Sequence, residues 1–196
     1  AAPYIAHNAK AGQFIILRVN EYGERIPLTI ADYDREAGTI DIIFQKVGKT
    51  TMLLDTLNEG DSILDFIGPL GKPSELEGYH YAAVIGGGAG CAIAYPQAKA
   101  LHNLGTKVDM IAGFRNKDII ILEDEMRAAS DNLYLMTDDG SNGNKGFVTD
   151  ALKKNIEAGA KYDFVVAIGP LPMMKAVCNL TKEYGIKTII SMNSIM

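Results

Sequence analysis

Short runs of apolar residues, each bounded by glycine or a polar turn, recur through the second half of the chain. Five runs are predicted strands, at 81–85, 107–112, 133–137, 163–168 and 187–192. Four segments between them have the length and composition of helices, at 89–104, 117–130, 148–158 and 171–184. Because apolar strands alternate with helices, the pattern predicts an α/β domain with a doubly wound, five-stranded parallel sheet. We place this domain at residues 79–196.

The first half of the chain has shorter stretches of β-branched and aromatic residues, separated by glycine. The predicted strands are 13–19, 25–33, 39–47 and 62–67, with one short helix at 50–57. Strands at this spacing predict a small antiparallel β-barrel at residues 1–78. The chain opens with Ala1 and stops at Met196 directly after a predicted strand, so we expect the first strands of the barrel to lie outside this sequence.

Composition excludes several classes of function. The chain has 19 Lys and Arg residues against 24 Asp and Glu and a formal charge of −5, without a basic stripe for a nucleic acid. Cys91, Cys178 and the three histidines show no metal-ligand or disulfide spacing, so we predict no metal site. No apolar run approaches the ~20 residues of a membrane span, and we expect a cytoplasmic protein.

A glycine-rich turn joins the first strand and helix of the second half. Its glycines are Gly86, Gly87, Gly88 and Gly90. Such a turn presents backbone N–H groups and a helix N-terminus to a pyrophosphate. The NAD motif also has an acidic residue after the second strand, where this chain has Arg115. An arginine there could accept a 2′-phosphate or stack on adenine, so NAD and NADP both stay open.

Turn residues also follow the third and fourth predicted strands. They are Asp138, Asp139 and Gly140 after the third strand, and Gly169, Pro170 and Met173 after the fourth. An ordinary turn explains each residue by itself. Ligands of parallel sheets bind beyond the carboxyl ends of the strands, so their concurrence at one edge predicts that they line the nucleotide site.

In the first half, residues 25–29 place a positive charge and a hydroxyl on one face of a predicted strand. Alternation points Arg25, Pro27 and Thr29 the same way, and Pro27 places this strand at an edge. The arrangement is suitable for a phosphate-bearing ligand, and it is equally typical of an exposed edge strand with an arginine on its solvent side.

Residues 48–51 form a second candidate anion site, where a predicted strand leads into the first turn of a short helix. The residues are Gly48, Lys49, Thr50 and Thr51. Hydroxyls and free N–H groups at a helix start suit a phosphate, and simple helix capping is the alternative. Two such motifs in one small barrel favour a phosphate-bearing ligand held between them.

Five sequence motifs carry a resemblance to a known family that covers nearly the whole chain. They are Gly-Glu-Arg-Ile-Pro-Leu-Thr at 23–29, Asp-Phe-Ile-Gly-Pro-Leu-Gly at 65–71, Thr-Asp-Asp-Gly-Ser at 137–141, Lys-Gly-Phe-Val-Thr-Asp at 145–150 and Tyr-Gly-Ile-Lys-Thr at 184–188. The chain resembles the ferredoxin–NADP reductase superfamily. Within it, the chain is similar to the alpha subunit of NADH-dependent ferredoxin:NADP oxidoreductase, to sulfide dehydrogenase and to the dihydroorotate dehydrogenase electron-transfer subunit.

The resemblance implies FAD in the barrel and a nicotinamide nucleotide on the α/β domain. For FAD it implies Arg25 on the pyrophosphate, Leu28 and Thr29 along the isoalloxazine with Pro27 between Arg25 and Leu28, Phe44 beside the flavin, and Gly48 to Thr51 on phosphate. For the nucleotide it implies the glycine turn, Arg115, Asp138 to Gly140 and Gly169 to Met173.

The activity implied is hydride transfer between NAD(P)H and FAD, followed by electron transfer to an iron–sulfur centre or a partner subunit. Thr29 is the expected catalytic residue, through a hydrogen bond near the flavin N5. A catalytic partner subunit in a hetero-oligomer is expected, with ferredoxin as a further candidate partner. A non-catalytic regulatory or assembly subunit that binds nucleotide and keeps the fold is the alternative.

Two features of the chain depart from the family pattern. Ile93 stands where the family's glycine turn usually carries a proline, which would alter how the helix starts. Related subunits continue into a cysteine-rich module that binds a [2Fe–2S] cluster, and this sequence ends before such cysteines. We therefore expect the cluster in a longer form of the protein, beyond residue 196.

Overall fold

The structure, a computed structural model, describes residues 1–192. The chain divides into a first unit, Ala1–Glu75, and a second unit, Leu76–Met196. In chain order, the elements of the first unit are α1 (Pro3–Asn8), β1 (Phe14–Arg18), β2 (Ile26–Thr29), β3 (Asp32–Asp34), β4 (Thr39–Asp41), α2 (Lys49–Leu54) and β5 (Asp65–Leu70). Those of the second unit are β6 (Tyr81–Gly87), α3 (Cys91–Asn103), β7 (Lys107–Phe114), α4 (Glu123–Ala128), β8 (Asn132–Thr137), α5 (Val148–Glu157), β9 (Phe164–Ile168), α6 (Leu171–Glu183) and β10 (Thr188–Ile190).

Alternating apolar residues of β1 build the core of the first unit. β1 lies between β2 and β5 in an antiparallel three-stranded sheet, and β3 pairs with β4 in a separate antiparallel hairpin. The buried core contains Ile5, Ala9, Ile15, Leu17, Val19, Ile30 and Leu54. The antiparallel class predicted for this half is confirmed, although the strands within residues 1–75 form two sheets instead of one closed barrel.

The strand predicted at 25–33 is two strands, because the chain passes from one sheet to the other in its middle. The N–H of Ile30 donates to Gln13 O at 3.1 Å, beside the three-stranded sheet, whereas the N–H of Ala31 donates to Asp41 O at 2.9 Å, in the hairpin. Both residues are buried. A run of β-forming residues shows that a segment is extended, but it does not show where its partner changes.

The prediction of a strand at 39–47 is wrong for most of its length, since only the first three residues pair with another strand. β3 is three residues long, so the chain beyond Asp41 has no strand opposite it. Ile42 and Phe44 still pack against the core of the first unit. Their alternation therefore reflects burial of every second side chain without a hydrogen-bonded ladder.

β5 begins and ends three residues later than the strand predicted at 62–67 and includes the segment predicted as a turn. Gly68 and Pro69 together lie opposite Ile15, which makes a bulge in the pairing with β1. A Cβ atom at Gly68 would lie 2.6 Å from Ile15 Cγ2, so the bulge requires glycine there. The sequence also gave no indication of α1, which begins at Pro3, a residue common at the first helical position.

Apolar strands and amphipathic helices make the second unit the predicted doubly wound domain. Its sheet has the order β10-β9-β6-β7-β8, and every neighbouring pair is parallel. All five residues of β9 are buried, as expected for a strand covered on both sides. Helix α3 packs with α4 and α5 packs with α6, one pair on each face of the sheet. The predicted five-stranded parallel sheet is confirmed.

The helix predicted at 117–130 is interrupted. A 3₁₀ turn at Lys117–Ile119 is separated from α4 by Leu122, which has a φ of 56°. A left-handed backbone at a leucine stops a right-handed helix, so α4 starts only at Glu123. By contrast, α3 runs without a break from Cys91 and includes Ile93, so the missing family proline leaves the helix start intact.

A buried carboxylate ties the strands together at the amino edge of the sheet. Asp109 is 1% exposed, and its Oδ2 accepts hydrogen bonds from the hydroxyls of Tyr81 at 2.8 Å and Tyr162 at 2.6 Å. Its Oδ1 accepts one from Asn132 Nδ2 at 2.9 Å. Burial, with the bond to Asp109, raises the pKa of Tyr81 to about 12 and also raises that of Tyr162. The network joins β6, β7 and β8, and the sequence pattern does not predict it.

Replacing Tyr162 with Phe tests this network. The variant keeps the ring but removes the hydroxyl that donates to Asp109 and accepts from Asn155 Nδ2 at 3.1 Å, so a buried carboxyl group loses one of its three donors. We expect the free energy of unfolding, measured by urea titration, to fall by about 1.5–3 kcal/mol. Tyr184→Phe, at a tyrosine 42% exposed in the same unit, is the control and should change it by less than about 0.5 kcal/mol. Equal effects of the two substitutions would contradict the proposed role of Asp109.

Candidate functional site

The strand order of the second unit reverses beside β6, which has β7 on one side and β9 on the other. In open α/β sheets, ligands bind at this switch point, beyond the carboxyl ends of the strands. β6 ends at Gly87, and β9 ends at Ile168 directly before Gly169. Two of the predicted turns therefore lie side by side at the one place where this fold most often binds a ligand.

These two turns approach so closely that neither has room for a side chain. A Cβ atom at Gly90 would lie 2.5 Å from Ile168 O, and one at Gly169 would lie 3.0 Å from Gly87 Cα. A Cβ at Gly87 would lie 2.5 Å from Met173 Sδ. Backbone contacts thus restrict Gly90 and Gly169, whereas a side chain at Gly87 would have to displace Met173, which lies in the first turn of α6 behind Pro170.

Gly88 differs from its neighbours because its Cα faces open space. It has a φ of +54°, and a Cβ atom built there would have no atom from outside its own turn within 4 Å. It begins the 3₁₀ turn Gly88–Gly90 that leads into the 13-residue helix α3. A bare backbone beside the N-terminus of a helix, with space over it, fits a pyrophosphate.

Arg115 and the turn at residues 138–141, which we name the aspartate turn, come together at the ends of β7 and β8. The N–H of Asp138 donates to Phe114 O at 3.0 Å, and that of Asp139 donates to Arg115 O at 3.3 Å. The N–H of Lys117 donates to Ser141 Oγ at 2.8 Å. The structure therefore joins the two segments that the sequence placed at one sheet edge, with Gly140 in the same turn at a φ of 77°.

Positive and negative side chains are both exposed where Arg115 meets the aspartate turn. Hydrogen bonds from the side chain and the N–H of Ser141, the latter at 2.9 Å, lower the pKa of Asp139, which keeps its carboxylate charged at neutral pH. Arg115 is exposed and has no carboxylate within 4.0 Å among residues 1–192. Its guanidinium is therefore available to a ligand at the end of β7.

In the first unit, the second group of predicted residues lies on the outer face of the three-stranded sheet, opposite the core. We define this outer face by Phe14, Ile16 and Arg18 of β1, Arg25, Pro27 and Thr29 of β2 and its approach, and Asp65 and Ile67 of β5. The pairing sets Thr29 opposite Phe14 and Pro27 opposite Ile16. Leu28 instead packs against the core, so it would contact a ligand on the outer face only through its backbone.

The outer face has an apolar middle and a charged end. Ile67 is 51% exposed and lies opposite Ile16, whereas Arg18, Arg25 and Asp65 lie together at the other end. Within residues 1–192, no protein group bonds to the hydroxyl of Thr29. A flat apolar surface with a hydroxyl at one end and guanidinium groups at the other fits a flavin nucleotide, which combines an aromatic ring with a pyrophosphate.

The segment at residues 48–51 is explained in large part by capping. Thr51 Oγ1 accepts hydrogen bonds from the N–H groups of Val47 at 3.1 Å and Gly48 at 3.0 Å. Thr50 is buried, and Lys49 is exposed. The Thr51 hydroxyl is therefore committed to the protein, and the Lys49 ammonium is the exposed charged group of this segment that can reach a phosphate.

Three residues near these sites have roles that the sequence pattern does not assign to them. Arg18 and Asp65 belong to the charged end of the outer face, and Ser141 orders the aspartate turn. Alternation along β1 contained the signal for Arg18, since it has the same parity as Phe14 and Ile16. Asp65 could be placed only once the register of β5 was known.

Comparison with known proteins agrees with this architecture. Residues 84–179 match the family model of the oxidoreductase NAD-binding domain. The dihydroorotate dehydrogenase B (NAD(+)) electron transfer subunit homolog of Thermotoga maritima is 46% identical over all of this chain and 68% of that protein, and an uncharacterized Clostridium beijerinckii protein is 51% identical over all of this chain and 69% of its own length. The structure of an NADH-dependent reduced ferredoxin–NADP oxidoreductase matches with a TM-score of 0.92 and 42% identity, over all of this chain and 70% of that one.

The fold and the sequence identities together define the class: the chain belongs to the ferredoxin–NADP reductase superfamily of oxidoreductases. Within that superfamily it belongs with the electron-transfer subunits of NAD-linked dihydroorotate dehydrogenase B and their homologues. At 19% identity, the cytochrome b5 reductase domain of Ulva prolifera nitrate reductase shares the fold over 94% of this chain and 86% of its own, with a TM-score of 0.73.

Membrane-spanning helices and clusters of metal ligands are both absent from residues 1–192. No helix there combines the length and the apolar character needed to cross a bilayer. Nor do three or more His, Cys, Asp or Glu side chains in the same residues come together as metal ligands.

Cys91 supports the glycine turn from beneath and gives the second unit a pH dependence. It is fully buried, and a Cβ atom at Gly86 would lie 2.7 Å from its sulfur. Burial raises the pKa of the Cys91 thiol from 9.0 to about 12. The unfolded chain therefore loses this proton at a lower pH than the folded chain, so stability is complete below pH ~9 and falls as the pH rises toward 12.

Replacing Cys91 with Ala should remove this contribution. Between pH 8 and pH 10, we expect wild-type protein to lose about 1.4 kcal/mol more of its unfolding free energy than Cys91→Ala, because only wild type has this thiol to ionise on unfolding. Urea titrations at the two pH values measure the difference, and comparing the change with pH cancels the loss of packing in the variant. The same pH dependence in both proteins would show that burial of the thiol is not responsible.

Proposed function

We propose that this chain is an electron-transfer flavoprotein subunit that takes reducing equivalents from NADH through FAD to a partner subunit. The observation that carries the proposal is the packing of the Gly86–Gly90 and Gly169 turns at the switch point, in a chain 42% identical to an NADH-dependent oxidoreductase. The alternating strands and helices build that edge, and Gly88 leaves open space over it. The two units are proposed as an FAD-binding domain and a nicotinamide nucleotide-binding domain.

In the second unit, we assign the pyrophosphate of the nicotinamide nucleotide to the backbone of Gly86, Gly87, Gly88 and Gly90. Arg115 is assigned to the adenosine half, next to Asp138, Asp139 and Gly140. Gly169, Pro170 and Met173 are assigned to the nicotinamide half, because they lie across the switch point from Arg115. The turn at residues 138–141 favours NADH over NADPH, since two carboxylates beside Arg115 oppose a 2′-phosphate, and the Thermotoga maritima relative is named for NAD(+).

In the first unit, we assign FAD to the outer face and to the segment at residues 48–51. Arg25 and Lys49 provide positive charge for the pyrophosphate, and Pro27 and the backbone of Leu28 border the ring. Phe44 and the backbone of Gly48, Thr50 and Thr51 complete the assignment, and Thr29 provides a hydroxyl to the ring. When bound, FAD supplies the chemistry, which is acceptance of a hydride from NADH and release of electrons one at a time.

The protein contributes position and charge to this chemistry, and none of its side chains has to move a proton. Thr29 is the one residue assigned a catalytic role, because its hydroxyl has no other partner within residues 1–192 and can donate to the ring. The partner subunit is proposed as the electron acceptor, because the relatives are electron-transfer subunits. An iron–sulfur centre beyond residue 196 and a ferredoxin are the finer proposals for the route of the electrons from FAD.

Reduction by NADH tests the proposed function. Under anaerobic conditions, the purified chain saturated with FAD should lose its visible flavin absorbance on addition of one equivalent of NADH, and more slowly with NADPH. Stopped-flow absorbance gives both rates. A chain that binds NADH but remains colourless after incubation with FAD would support the non-catalytic alternative instead.

Replacing Gly88 with Ala tests the nucleotide site without a clash. Gly88 and Gly185 both have left-handed backbones, at φ of +54° and +67°, and neither would bring a Cβ atom within 4 Å of another atom. Each substitution to Ala should therefore lower the unfolding free energy similarly, by about 1–2 kcal/mol. Only Gly88→Ala should also lower the affinity for NADH, by about tenfold or more in a fluorescence titration, because its methyl group would occupy the pyrophosphate position. Equal NADH affinity in the two variants would exclude Gly88 from the site.

A further inference from the structure

One carboxylate holds two arginines at the charged end of the outer face. Asp65 Oδ2 accepts a hydrogen bond from Arg25 Nη2 at 2.7 Å. Arg18 Nε lies 2.8 Å from the same oxygen, as an ion pair without hydrogen-bond alignment. Asp65 and Arg18 are directly opposite each other on β5 and β1, whereas Arg25 approaches from the start of β2. Asp65 is therefore fixed by a strand pairing, and Arg25 is the partner that it orients.

The charges of this group leave Arg25 able to bind an anion. Arg18 neutralises Asp65, so the three side chains keep a net charge of one positive unit. The bond to Asp65 uses Nη2, and within residues 1–192 the Nε and Nη1 donors of Arg25 have no protein partner, so they stay available. Arg25 is 55% exposed, compared with 25% for both Arg18 and Asp65. The pair formed by Arg18 and Asp65 is thus partly buried, whereas the Arg25 guanidinium faces solvent.

The position of Arg25 along β2 suits a flavin nucleotide. Arg25 and Thr29 have the same parity on the strand, and four residues of strand span about 13 Å. Between them lies Pro27, opposite Ile16. A hydroxyl, an apolar stretch and a guanidinium therefore follow one another in the order in which FAD presents a ring, a five-carbon chain and a pyrophosphate.

We infer that Asp65 is a positioning residue for FAD, which holds the Arg25 guanidinium in the orientation that binds the pyrophosphate and does not itself touch the ligand. The inference rests on the proposed function, in which FAD lies on the outer face. Orientation matters because arginine has a long, flexible side chain that must be ordered before its planar donors meet two phosphate oxygens. A strand-anchored carboxylate orders the side chain before FAD arrives, which lowers the entropic penalty of binding.

The sign of one substitution separates this role from simple electrostatics. Asp65→Asn removes a negative charge near a proposed phosphate site. If charge alone mattered, FAD would bind more tightly to the variant. If Asp65 positions Arg25, FAD should bind about tenfold more weakly, because the charge-assisted bond that orders the guanidinium is lost. Asp65→Glu keeps the charge but moves the carboxylate by the length of one methylene group. This variant should also bind FAD more weakly than wild type.

A double-mutant cycle provides the test, with dissociation constants measured from the quenching of flavin fluorescence on addition of the FAD-free chain. Asp65→Asn should raise the dissociation constant for FAD about tenfold when Arg25 is present. In an Arg25→Gln background the increase should be less than about twofold, since the effect passes through Arg25. Riboflavin, which lacks the pyrophosphate, should bind Asp65→Asn and wild type equally. Asp61→Asn, which removes a carboxylate of the same unit that accepts a hydrogen bond from the Asn58 N–H of its own turn, is the matched control and should leave FAD affinity unchanged.

Tighter or unchanged FAD binding by Asp65→Asn would overturn the inference. So would an equal loss in the Arg25→Gln background, or an equal loss for riboflavin, because either would mean that Asp65 acts on the sheet as a whole. Far-UV circular dichroism and thermal midpoints of every variant establish that the fold is kept. Failure of wild type to bind FAD at all would overturn the proposed function as well, whereas the other results concern Asp65 alone.

Discussion

The candidate nucleotide site depends on a contact between two backbone turns that leaves no space for a side chain. Gly90 lies against Ile168 O, and Gly169 lies against Gly87. This contact requires that β6 and β9 be neighbours with β7 on the far side of β6, which is the order of the sheet. Close packing of the turns keeps Gly88 bare and open at the edge of the sheet. The fold thereby produces an anion site from backbone groups, without a dedicated charged residue at the turn.

Charge is added around that backbone site by segments that the sheet brings together. The carbonyl groups of Phe114 and Arg115 accept hydrogen bonds from the aspartate turn, so the basic and acidic side chains of two strand ends have a fixed relation. The opposite edge of the same sheet is held by Asp109 and its tyrosine partners. The amino edge of the sheet thus has buried polar groups that are hydrogen-bonded to one another. The carboxyl edge has exposed groups whose hydrogen-bond donors are available to a ligand. That asymmetry distinguishes the edge built for stability from the edge available to a ligand.

The sequence predicted those parts of the fold that are decided locally and missed those decided by pairing. Continuous apolar strands such as 164–168 can only be covered on both faces, so the parallel sheet and its order of helices followed from the pattern. The division of 25–33 between two sheets depends on Gln13 and Asp41, which are distant in sequence. The break before α4 depends on one left-handed residue, Leu122, whose conformation no propensity indicates. For the sites, the glycine turns were visible as motifs, whereas Asp65 became a candidate only through its register with Arg18.

The central claim is that a nicotinamide nucleotide binds across the carboxyl edge of the parallel sheet. Amide hydrogen exchange with and without NADH, followed by mass spectrometry, tests it most directly, because it reports on the backbone groups assigned to the ligand. NADH should slow exchange in the turns at that edge, which are residues 86–91, 113–117, 137–141 and 168–174. Exchange should not change in the turns at the opposite edge, which are residues 103–107, 129–132, 158–163 and 183–187. Protection confined to the second set, or no protection in either, would contradict the account.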